Sequence, residues 1–107
     1  MRGALMIDYD RIQKDCFWDI SMTKNDIDDI LAQDDPQRKA FLYQKILLNS
    51  TQLFNDISIF STEDISKLTE DFKIPKFNHD YIFRRKNLVE VYFLDKYHLL
   101  DKIHFQL

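Results

Sequence analysis

A mainly α fold, a compact bundle of about five short helices, is predicted by three features of this sequence. The first is turn chemistry. The 107 residues hold one Gly and two Pro, too few for the glycine-dependent turns of a β-sandwich or barrel. The second is helix-start signals. Asp35 stands directly before Pro36, an N-cap followed by a proline at the first helical position. Ser61 and Asp64 have capping-box spacing. The third is periodicity: Ile27, Ile30 and Leu31, and again Ile65, Leu68 and Phe72, recur at the spacing of one helical face.

Taken in order, residues 1–16 read as a partly ordered lead-in, with a helical turn around Tyr9–Lys14. Thr23 or Asn25 caps the first clear helix, and Asp26, Asp28 and Asp29 lie in its first turns, where the helix dipole favours negative charge. The strongest signal predicts a helix from Pro36 to about Asn49. Phe41, Leu42, Ile46, Leu47 and Leu48 make it apolar over much of its circumference, which places it centrally. Ser50 can cap a short segment carrying Leu53, Phe54 and Ile57, and the helix that starts at Ser61 is stopped by Pro75. Residues 79–94 wind as a helix with Tyr81, Ile82, Leu88, Val89, Tyr92 and Phe93 on one face, and Arg85 inside it. The same stretch also alternates as a strand, so a β-hairpin of Leu88–Leu94 with Leu99–Phe105 is the alternative for the C-terminal third. With no repeat, linker or low-complexity tract, residues 1–107 read as a single domain.

Composition removes several chemistries. A single Gly rules out a glycine-rich phosphate loop. One cysteine, Cys16, allows no internal disulfide and suits a reducing, cytoplasmic setting, where a small buried side chain is its expected role. The opening residues lack the pattern of a signal peptide, and no apolar run is long enough for a membrane span. Asp8 and Asp10 form a D-x-D pair that on a strand would point to one side and could hold Mg²⁺, but no Gly-Ser turn precedes it. His98 and His104 are six residues apart, not the three or four that put ligands on one helical face. No catalytic residue, metal site or cofactor is expected, so the chain reads as a binding protein.

Two stretches suit binding. Residues 1–35 hold nine Asp against four basic residues, a balance that repels nucleic acid and suits a basic partner. Within them Phe17 and Trp18 are adjacent, and adjacent rings in an extended segment point to opposite sides. One can enter the core while the other fills a partner's pocket, with Asp19, Asp26, Asp28 and Asp29 nearby. In residues 73–86, Lys73, Lys76, Arg84, Arg85 and Lys86 surround Phe77, Tyr81 and Phe83, with Asp80 the only acid. Cations interleaved with rings suit nucleic acid, the alternative partner, or an acidic protein.

"FWDI", the acidic helix, "ILAQDDPQRKAFLYQKIL" and the capped "STEDISKL" together resemble small bacterial proteins that begin with a Phe-Trp-Asp element. Some of these are encoded beside abortive-infection-type nucleotidyltransferase toxins. The resemblance covers about residues 16–70, and its one sharp motif is three residues long. Asn49-Ser50 replaces the family's glycine after the central helix, and residues 77–93 have no counterpart. The resemblance implies an antitoxin-like protein that neutralises a partner enzyme without catalysis. Phe17 and Trp18 would anchor the contact, and Asp19, Asp26, Asp28 and Asp29 would meet cations in a phosphate-binding site. A small structural subunit of a larger assembly shares the same physical demands.

Overall fold

The computed structural model describes residues 7–94. Among them are six helices and no strand, so the protein is mainly α. The chain divides into two compact units, one ending at Phe60 and one beginning at Ser61.

In the first unit, α1 spans Tyr9–Cys16, α2 Lys24–Ala32, α3 Pro36–Asn49 and α4 Leu53–Ile57. The lead-in expected over residues 1–16 is thus a formed helix from Tyr9 onward. Asp8 caps it by accepting the Arg11 N–H at 3.0 Å, and Ile12 and Cys16, four residues apart, are its buried side chains. That i, i+4 pair is the local signal of a helical face, and it is obscured by the charged residues around it. Thr23, not Asn25, is the cap of α2. Its hydroxyl accepts the Asp26 N–H at 3.2 Å while the Asp26 carboxylate accepts the Thr23 N–H at 2.9 Å, a complete capping box with Asp where Glu is usual.

The central helix matches its predicted bounds. Asp35 accepts the N–H groups of Gln37 and Arg38 at 3.1 and 3.3 Å, and Pro36 opens the first turn. Leu42, Tyr43, Ile46 and Leu47 are buried, and α1, α2 and α4 all pack against this helix. Each fully buried side chain of this kind contributes roughly 1.5–3 kcal/mol, and four on one helix explain why α3 organises the unit. Phe60 closes the core with its ring edge-on to Tyr43, centroids 6.0 Å apart. Ser50 does not cap α4 at its first residue. It is the C-cap of α3 and sits one place before Thr51, with Gln52 in the N-cap position.

In the second unit, α5 spans Thr62–Asp71 and α6 spans His79–Leu94, and the two pack together. The Ser61 hydroxyl caps α5 through the Asp64 N–H at 3.1 Å. Ile65 and Thr69 are buried, and Leu68 and Phe72 half-buried. The chain then turns through Asn78, whose φ of 49° is a left-handed conformation that Asn tolerates. Residues 88–94 belong to α6, so the first strand of the alternative hairpin does not exist. Its second strand, Leu99–Phe105, lies outside the described residues, as do His98 and His104. Within a helix the N–H groups of residues 83–94 are paired locally, whereas a lone strand would need an outside partner for its groups.

Candidate functional site

The exposed feature of the first unit begins with how α1 is held. Asp56, at the end of α4, is fully buried and accepts both terminal nitrogens of Arg11, Nη1 at 3.0 Å and Nη2 more closely. It also accepts the Ser50 hydroxyl at 2.5 Å, and that hydroxyl accepts the Gln52 N–H at 2.9 Å. Arg11 reaches Asp15 on its own helix at 3.1 Å, and Asp15 takes the Thr51 hydroxyl at 2.6 Å and the Thr51 N–H at 3.1 Å. This network fastens α1 to the turn between α3 and α4. A buried charge is tolerated only when paired in this way.

The Thr51 hydroxyl, followed by the Thr51 N–H and Arg11, holds the Asp15 carboxyl below its ordinary range against the opposing effect of burial. A folded-state pKa below the unfolded value of about 3.9 stabilises the fold above that pH. The contribution is lost as pH falls through the lowered folded value. Asp15→Asn is therefore expected to have a lower urea midpoint at pH 7 and a shallower loss of stability on acidification, measured as midpoint against pH. A parallel acid slope in mutant and wild type would refute this.

At the end of α1, Gln13 clamps the next loop from two sides. Its Nε2 donates to the Ile20 carbonyl at 3.2 Å, and its Oε1 accepts the Met22 N–H at 2.9 Å. The clamped segment is a turn, with the Ile20 N–H donating to the Phe17 carbonyl at 3.3 Å, and not the extended stretch expected; it still leaves one ring in the core and one in the open. Phe17 is buried, its ring tilted against Phe41 of α3 with centroids 6.1 Å apart. Trp18 is 67% exposed. Lys45 of α3 places Nζ 5.6 Å from the Trp18 ring centroid and 5.7 Å from that of Phe41, itself 41% exposed. Ile20, two residues on, is also exposed. Trp18, Phe41 and Lys45 thus share one surface, with Phe17 beneath it.

The structure sorts the other predicted residues. Phe17 is spent in the core and presents nothing to a partner. Asp26 is engaged in the capping box, and its carboxyl is held low by the Thr23 N–H and hydroxyl. Asp28 pairs with Lys24 at 2.7 Å and accepts the Tyr9 hydroxyl at 3.3 Å. Asp19 and Asp29 are exposed. The charge beside the indole is the cation Lys45 rather than the acids of α2. Sequence reasoning passed over Phe41 and Lys45 because both fall in a helix read as central; their i, i+4 spacing was the signal that marks them as neighbours.

Asp8 and Asp10 lie at the cap and in the first turn of a helix. Two residues apart on a helix they diverge, so the strand geometry needed for a shared Mg²⁺ is not there. Among the described residues no group of three His, Cys, Asp or Glu side chains is placed to hold a metal, and no helix is long and apolar enough to cross a membrane. Cys16 is buried. In the second unit Lys73 and Lys76 are exposed in the connection before α6, while Arg84, Arg85 and Lys86 are half-buried on it.

These features define a small helical protein with a pre-formed aromatic surface. No protein-family model matches the chain, and no curated protein or solved structure matches it significantly.

Proposed function

We propose that this protein is a non-catalytic, antitoxin-like binding module that neutralises or regulates a partner enzyme through the Trp18 surface. The observation that supports the reading best is the exposed indole on a loop clamped by Gln13. A large ring two-thirds in water contributes little to folding, yet gains substantial burial when a partner covers it. Because the loop is already held, little ordering entropy is lost on binding. Lys45 beside the ring offers a charge for a partner carboxylate, and exposed Asp19 and Asp29 offer charges for partner cations. The resemblance of residues 16–70 suggests a nucleotidyltransferase toxin as that partner.

The test is capture from the native host with wild-type and Trp18→Ala baits, then calorimetry on the recovered partner. Trp18→Ala is expected to weaken binding by about thirty-fold or more, the effect of removing a hot-spot ring, with thermal unfolding unchanged. Equal damage to binding and stability would make Trp18 an ordinary structural residue, and undiminished affinity would remove it from the interface.

A further inference from the structure

We propose that the second unit binds single-stranded nucleic acid along α6 and the connection that precedes it. This surface is separate from Trp18 and the inference does not depend on the partner enzyme. Residues 61–107 hold eight basic and eight acidic residues and are neutral as a whole. Their charges are nonetheless segregated. Residues 61–72 carry four acids and one lysine, whereas residues 73–86 carry five cations and one acid.

Rings accompany these cations in the open. Phe77, Tyr81 and Tyr92 are 64%, 53% and 54% exposed. Tyr81 and Tyr92 are eleven residues apart, which on a helix leaves them within about 20° of one line and about 16 Å apart. Arg85 lies between them on that side. Its guanidinium sits 5.4 Å from the Tyr81 ring centroid and donates to the Tyr81 hydroxyl at 3.2 Å. Asp80, the one acid of residues 73–86, and half-buried Glu90 each stand about 140° around the helix from Arg85.

Lys73, Lys76 and Phe77 occupy the short connection and Tyr81 and Arg85 fall in the first two turns after it, at one end of α6, while Tyr92 stands in its last turn. Exposed π-faces spaced along a row of cations match the chemistry of a single strand. Phosphates meet the cations, and unpaired bases stack on the rings without sequence preference. A duplex keeps its bases stacked on one another and cannot use the rings.

The test is fluorescence anisotropy of the whole protein with a labelled oligo-dT and oligo-U of about twelve nucleotides, within the site sizes typical of such surfaces. With Lys73, Lys76 and Arg85 on phosphates, affinity should fall about twenty-fold between roughly 50 and 200 mM salt. Lys73→Ala/Lys76→Ala should flatten that dependence, and Tyr81→Ala should weaken binding about ten-fold. All three positions are exposed, so thermal unfolding serves as the folding control. The proposal is overturned by absence of binding at low salt, by equal affinity for a duplex of the same length, or by equal competition from polyglutamate, which would assign the surface to an acidic protein. Unaltered binding by both variants would overturn it as well.

Discussion

Asp56→Ala is expected to cost the first unit about 3–5 kcal/mol, the usual penalty for removing one partner of a buried ion pair. Against a typical total of about 5–15 kcal/mol, that is a large share of the stability of a small protein. The loss arises from what is left behind more than from what is taken away. Arg11 would keep a guanidinium mostly withdrawn from water, with Asp15 its remaining carboxylate among the described residues, and the Ser50 hydroxyl would lose its bond to Asp56. Arg11→Met should be comparably damaging because it strands the carboxylate. The pair Arg11→Met/Asp56→Leu should recover much of the loss, since an apolar pair strands no charge. Urea unfolding of the two single variants and the double gives the coupling directly. Costs below about 1 kcal/mol for both single changes would show that water enters the site and screens it.

This network also marks the boundary of what the sequence could disclose. Helix starts were legible because caps are local: Thr23, Asp35 and Ser61 each act on an N–H two or three residues away. The core face of α3 was legible because its spacing repeats. Arg11 and Asp56 are 45 residues apart, and nothing in "LFNDI" separates a buried carboxylate from a solvated one. A split between one core ring and one open ring was legible at Phe17-Trp18, but not which ring would turn inward, nor that a turn would separate them; that depends on Phe41 and on Gln13, at positions the local pattern does not connect. The pairing of two α2 acids was out of reach for a related reason. Composition counts Asp26 and Asp28 as surface charge, while Thr23, Lys24 and Tyr9 engage them. In the C-terminal third, alternation of Val89, Val91 and Phe93 resembled a strand because β-branched residues and a helix packed on one side give similar short patterns.

Two substitutions on the same helix separate what α3 does for the fold from what it offers to a partner. Ile46 is fully buried on α3, which α1, α2 and α4 all touch. Ile46→Ala is expected to destabilise by about 2–5 kcal/mol, the sum of lost transfer energy and a cavity that rigid neighbours cannot close. Phe41 lies five residues earlier, about 140° around the helix, partly open and flanked by Lys45. Phe41→Ala should cost about 1 kcal/mol, because much of its ring is already in water. Chemical denaturation of both variants measures the contrast. If Phe41→Ala proves as damaging as Ile46→Ala, the outer ring belongs to the core and the apolar surface on that side shrinks to Trp18 and Ile20. If the contrast holds, Phe41 contributes far less to the fold than Ile46, and with Trp18 it remains available to the proposed contact.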